Sequence, residues 1–166
     1  MTAQEIKEIL VSKLGAEAIV KENFELAQPQ LTVRKEMIHK ACLELYNNEK
    51  LYFDFLSCLT GVDNGPAIGT MEVIYHLYSI PFNHHIILKA ELIRNNEGEP
   101  LPAITSVSNI WRSANWHERE IFDMYGIVFE AHPDLRRILL PADWEGYPLR
   151  KDYKHQEYYH GIKVEY

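Results

Sequence analysis

LYFDFLSCLTGVDNGPAIGTMEVIYHLYSIPFNHHIILKAEL, residues 51–92, contains three apolar-rich runs separated by two turn signals. Leu51, Phe53 and Phe55 alternate with Tyr52, Asp54 and Leu56, the period of a half-buried strand. Asp63-Asn64-Gly65-Pro66 breaks that run. A second run from Met71 to Tyr78 is rich in β-branched and aromatic residues. Pro81-Phe82-Asn83-His84 makes the next turn before an apolar run from Ile86 to Leu92, and Asn95-Asn96-Glu97-Gly98-Glu99-Pro100 forms a third, exposed turn. Short runs joined by turns rather than helices predict an antiparallel meander.

Toward the N-terminus the period becomes helical. Thr2-Ala3-Gln4-Glu5 is a capping box, Ile6, Ile9, Leu10 and Leu14 follow at helical spacing, and Gly15 can end the helix. Leu31 and Val33 alternate within a short strand. Met37, Ile38, Ala41, Cys42 and Leu45 define a second helix that ends near Asn47-Asn48. The expected class is α+β, with an antiparallel or mixed sheet backed on one face by the N-terminal helices. This domain takes residues 1–107, and a helix plus an irregular, extended, partner-docking tail takes residues 108–166.

Residues 118–153, EREIFDMYGIVFEAHPDLRRILLPADWEGYPLRKDY, read differently. Asn115 stands at capping-box distance from Glu118, and Gly126 can close a helix from Trp116 to Tyr125. Beyond it Pro133, Pro141, Gly146 and Pro148 cut the chain too often for long elements. Trp111, Trp116 and Trp144 gather in or just before this stretch, with Arg112, Arg119, Arg136, Arg137 and Arg150. Such residues anchor fixed contacts. Glu118 and Glu120 lie about 200° apart on a helix, so they form no acid/base dyad, and each is expected to meet an arginine. Arg136 and Arg137 point to opposite sides of an extended segment. One is expected to pair with Glu118, Glu120 or Asp123 and the other with a partner's carboxylate. A tail with so few periodic apolar positions is expected to be mobile until a partner offsets its ordering entropy. The competing reading is that internal ion pairs pin it to its own domain.

At 166 residues the chain can bury a real core as one domain. Its net charge of −7 without a Lys/Arg run argues against nucleic acid. No apolar run approaches the roughly 18 residues needed to span a bilayer. MTAQEIKEIL lacks the pattern of a secretory signal, so a cytoplasmic location, or one on the cytoplasmic side of a membrane, is expected. Cys42 and Cys58 are too few and too far apart for an iron–sulfur cluster. His117-Glu118 lacks the second histidine of a zinc helix, since Ile121 stands there. His84 and His85 face opposite sides of a strand. Gly61, Gly65 and Gly69 flank turns rather than a strand-to-helix phosphate loop, and no serine sits in a nucleophile elbow. No catalytic, cofactor-binding or metal-binding residue is expected in this chain.

The Glu118-Arg119-Glu120 triplet, His132 and Arg136-Arg137-Ile138-Leu139 stand at the spacing of a known signature. Residues 104–154 closely resemble, and residues 30–154 more weakly resemble, the C subunit of NADH–quinone oxidoreductase (respiratory complex I). The resemblance implies a cofactor-free peripheral-arm subunit that scaffolds the quinone-reducing module beside the large D subunit and the neighbouring cluster-bearing subunits. FMN and iron–sulfur clusters would sit on other subunits of a proton-translocating complex that uses NADH and quinone. The chain would lie on the cytoplasmic side of the inner (plasma) membrane and touch that membrane only through the complex. The implied partner interface is Trp116, Glu118, Arg119, Glu120, Asp123, His132, Asp134, Arg136, Arg137, Arg150, Lys151 and Asp152. Ala131 departs from the Gly that members often carry, Tyr147 from a frequent His, and Lys154 from a frequent Pro. Similar subunits occur in membrane-bound hydrogenases and in ferredoxin- or deazaflavin-fed complexes. A free-standing protein-binding adaptor is the alternative of a different class.

Overall fold

The computed structural model describes residues 1–164. Helix α1 (Ala3–Leu14) leads to strands β1 (Ile19–Asn23) and β2 (Gln30–Val33), helix α2 (Ile38–Asn47), and the long strands β3 (Phe55–Asp63), β4 (Thr70–Ser79) and β5 (His84–Ile93). Then come β6 (Ala103–Thr105), helix α3 (Ala114–Tyr125), β7 (Val128–Glu130), and the two-residue strands β8 (Tyr158–Tyr159) and β9 (Ile162–Lys163).

The meander over residues 55–93 forms as its alternation demands. β4 pairs antiparallel with both β3 and β5, burying Met71, Val73, Tyr75, Leu77 and Ser79 on one face. The strand predicted from Leu51 is corrected: it starts at Phe55, and its phase is the reverse of the predicted one. Leu51 and Phe53 are buried in the preceding turn, where Tyr52 takes a φ of 36° and Trp111 Nε1–H donates to the Phe53 carbonyl at 3.0 Å. Phe55 is therefore exposed and Leu56 buried, and a bulge between Leu56 and Cys58 re-aims the chain so that Leu59 points inward.

The sheet is mixed, in the order β1-β2-β5-β4-β3, because β2 runs parallel to β5. As an inner strand β2 buries three consecutive residues, Leu31, Thr32 and Val33. β1 was not legible in the sequence: it is an edge strand whose three central residues are all exposed, so it carries no alternation. The capping box of α1 closes both ways, with Thr2 N–H donating to Glu5 Oε2 (2.7 Å) and Glu5 N–H to Thr2 Oγ1 (3.3 Å). His84 opens β5 instead of closing the turn, and donates through Nε2 to the Leu51 carbonyl.

One apolar cluster joins Ile6 and Leu10 of α1, Ile38 and Leu45 of α2 and the inner sheet face to Val107, Trp111, Ile121 and Phe129. α3 lies directly on β3, and only a glycine fits between them. A Cβ at Gly61 would come within 2.9 Å of Ile121 and Tyr125. The predicted cap of α3 is a second correction. The helix starts at Ala114 after Ser113, with no side-chain cap, and Asn115 lies inside it. Gly126 does close it, at φ 68° in the left-handed region, with its N–H on the Phe122 carbonyl.

Candidate functional site

The buried side of α3 carries two acids among its apolar residues, and both are wholly inaccessible. Glu118 meets no arginine, contrary to the expectation from sequence. Its Oε2 accepts from Ser106 Oγ at 2.6 Å and its Oε1 from the Val107 N–H at 2.7 Å, which ties α3 to the loop after β6. Burial, only partly opposed by those two hydrogen bonds, pushes its carboxyl up to about 7. His132 Nε2 stands 3.8 Å away and donates to the Asn115 carbonyl at 3.1 Å, while Nδ1 accepts the Asp134 N–H. Accepting that amide places the ring proton on Nε2.

Asp123 is the hub of the segment after α3. Its Oδ2 accepts three consecutive backbone N–H groups, from Ile138 (3.0 Å), Leu139 (2.8 Å) and Leu140 (2.9 Å). Its Oδ1 pairs with Arg137 Nη1 at 2.7 Å. Burial alone would raise this carboxyl, but those N–H groups and the guanidinium hold it below the usual carboxylate range. Arg137 also donates to the carbonyls of Asp123, Trp144 and Gly146, so one residue ties α3 to the irregular chain around residues 144–146.

A second clasp fixes the end of the segment. Asp63 Oδ1 accepts from Arg94 Nε (2.9 Å) and the Gly65 N–H (2.9 Å), and Oδ2 from the Lys151 N–H (2.8 Å). Arg94 reaches on to Asp152. Arg150 donates to the carbonyls of Tyr125 and Gly126, placing a cation at the C-terminus of α3, where the helix dipole favours it. The Tyr147 ring takes the guanidiniums of both Arg137 and Arg150, at 5.2 and 5.0 Å from its centre. Its ring packs on Gly126, where a Cβ would approach to 2.6 Å.

The residues expected at a partner interface thus divide by where they face. Glu118 and Asp123 face inward, and His132, Arg137 and Arg150 are bound to this chain's own backbone. Outward-facing are Trp116 (66% exposed), Glu120, Lys151, Asp152 and the Asp134–Arg136 pair, and Leu139 is exposed as well. Arg119 stacks on Trp116 at 5.6 Å and donates to the carbonyls of Arg136 and Arg137, which binds this outer surface to α3. Sequence reasoning missed Asp63, Arg94, Ser106 and Tyr147. A signal existed for two of them: Asp63 and Arg94 fall on the buried phase of β3 and of the register that β5 continues. Opposite charges in buried phase at the same end of a sheet mark a clasp. Nothing in the sequence aims Ser106 or Tyr147.

Cys42 is buried and Cys58 half-buried, and among the described residues no three His, Cys, Asp or Glu side chains form a metal-binding group. No helix among them is long and apolar enough to cross a membrane.

Residues 31–159 match the family described as the respiratory-chain NADH dehydrogenase 30 Kd subunit. The C subunit of NADH-quinone oxidoreductase from Chloroherpeton thalassium is 54% identical over 72% of this chain and 47% of its own length. The Chlorobium phaeobacteroides protein of the same name is 48% identical over 75% and 72%, respectively. The chain therefore spans about half of the first relative and most of the second. A chain of the archaeal membrane-bound sulfane sulfur reductase shares the fold, with a TM-score of 0.72 at 23% identity over 91% of this chain and 85% of that one. A trypsin-resistant fragment of Nqo5 superposes with a TM-score of 0.57 at 25% identity, over 78% of this chain and 99% of the fragment. By the extent of the family match and the identity to relatives covered over most of their length, the chain belongs to the 30 Kd subunit family of respiratory-chain NADH dehydrogenase.

Proposed function

We propose that this chain is a cofactor-free peripheral-arm subunit of a proton-translocating NADH–quinone oxidoreductase. It scaffolds the quinone-reducing module beside the large D subunit, on the cytoplasmic side of the membrane. NADH, quinone, FMN and the iron–sulfur clusters belong to other subunits, and this chain performs no step of electron transfer itself. The observation that carries the reading is the rigid outer surface of α3 and residues 134–140. Trp116, Arg136 and Leu139 are exposed there on a backbone held by Asp123 and Arg119. Exposed aromatic and arginine side chains on a preorganised frame suit a permanent protein contact, because little ordering entropy remains to be lost on docking. The identity to C subunits of this oxidoreductase supports the choice of assembly.

Affinity purification of the native assembly through a tag on this chain is the test. Co-purification of a homologue of the large D subunit with flavin- and cluster-bearing chains and NADH–quinone activity is expected. An unrelated partner and no such activity would replace this reading with that of an adaptor. The separately purified chain is expected to contain no stoichiometric iron, zinc or flavin.

A further inference from the structure

The helices cover one face of the sheet, and the far end of the other face holds a cleft of about 440 Å³ between β1, β2 and β5. Lys21, Arg34, Lys35 and Lys89 line it against Glu36 and Glu91. With Lys89 set against Glu72 outside the cleft, Lys21, Arg34 and Lys35 face Glu36 and Glu91, a local excess of positive charge on a chain whose formal net charge is −7. Lys89 is already engaged by Glu72 at 3.0 Å. Lys21, Arg34 and Lys35 are exposed and take part in none of the ion pairs among the described residues.

Lysines on an edge strand can serve only to discourage sheet-to-sheet aggregation. A second observation separates this cleft from that role. Ile93, which is 85% exposed and the most exposed large apolar side chain among the described residues, borders it together with Val20 at 64%. A merely protected edge has no reason to present large apolar side chains beside its cations. Exposed apolar side chains next to cations left unpaired among the described residues are the makings of a protein contact.

We propose that this cleft docks an acidic segment of a neighbouring subunit. The segment's carboxylates meet Lys21, Arg34 and Lys35, and an apolar side chain of the segment covers Val20 and Ile93. Lipid recognition by charge calls for clusters of about four to eight basic residues, more than the three cations left unpaired here among the described residues, so a protein segment that supplies both carboxylates and an apolar side chain fits better. The proposal rests on the reading of this chain as part of a larger assembly and adds a second contact surface, distant in sequence from the segment after α3.

Zero-length carbodiimide cross-linking of the purified native assembly, with peptides identified by mass spectrometry, tests it. Links from Lys21 or Lys35 to an Asp or Glu of another chain are expected. The triple variant Lys21→Glu, Arg34→Glu, Lys35→Glu should lower recovery of the assembly about tenfold, as losing three exposed pairs together amounts to about one decade in affinity. The free variant should melt at the wild-type temperature. An assembly that retains NADH–quinone activity but yields no link from either lysine overturns the docking site and leaves the proposed function intact. Loss of phosphatidylglycerol-vesicle binding by the free triple variant, with no cross-link in the assembly, would assign the cleft to a lipid surface and also overturns the proposal. Cross-links to an acidic partner in an assembly without that activity would sustain the cleft and sink the proposed function.

Discussion

Arg136→Ala and Arg137→Ala remove adjacent guanidiniums with the same chemistry and very different surroundings. The Arg137 side chain is 15% exposed and pairs with Asp123, which is 0% exposed. Without Arg137 that carboxylate keeps the N–H groups of residues 138–140 and loses its counter-charge, while Trp144 O and Gly146 O lose their donor. Breaking a buried pair in this way costs about 3–5 kcal/mol. In a chain of 166 residues each kcal/mol moves the melting temperature by about 2–4 °C, so a fall of roughly 6–20 °C is expected. The Arg136–Asp134 pair has side chains 75% and 44% exposed, and its removal should leave the melting temperature close to that of wild type. Thermal melts of the free chain, with amide hydrogen exchange over residues 134–153, give both readouts. The second detects detachment of the tail even where the melt reports only the core. The network also implies that amides 138–140 are protected without a partner, against the sequence-based expectation of a mobile tail. If Arg137→Ala stays within about 1 kcal/mol of wild type by melt and by exchange, or if Arg136→Ala is equally damaging, the hub role of Asp123 is wrong. Arg136→Ala is expected to lower recovery of the assembly instead.

Glu118→Gln should change how stability depends on pH. The carboxyl is raised when folded, so its contribution is fully present below its ordinary value and is lost as pH rises through about 7, up to about 3 kcal/mol. His84, lowered by burial, acts in the opposite sense below its usual range, so the difference between wild type and Glu118→Gln at pH 5 and pH 8 isolates the effect. The variant should gain on wild type at the higher pH, and an unchanged difference in denaturant midpoints would refute the assignment. Gly126→Ala combines a φ of 68° with a Cβ that would stand 2.6 Å from Tyr147, and should cost more than about 2 kcal/mol in urea unfolding. Ala131 holds a φ of 62°, in the left-handed region that favours glycine. Ala131→Gly should therefore raise stability by up to about 1 kcal/mol, and a loss would show that the alanine methyl makes a packing contact worth more than the strain.

The alternation of Met71–Tyr78 and the helical spacing around Ile6 and Ile38 determined the α+β class, because each element's period is a local property of its residues. The spacing of Glu118-Arg119-Glu120, His132 and Arg136-Arg137 was enough to indicate the family. Only the tertiary structure decided that β2 runs parallel to β5, since pairing direction depends on where a chain returns and not on its own pattern. It alone decided which of two adjacent arginines turns inward, and that Glu118 binds a serine and a backbone amide instead of a guanidinium. Those choices are set by neighbours far apart in the chain. Asp123 and Arg137 lie 14 residues apart, and Asp63 and Lys151 lie 88 apart. A buried charge takes whichever partner the packed core delivers to it, and that delivery has no signature in local sequence.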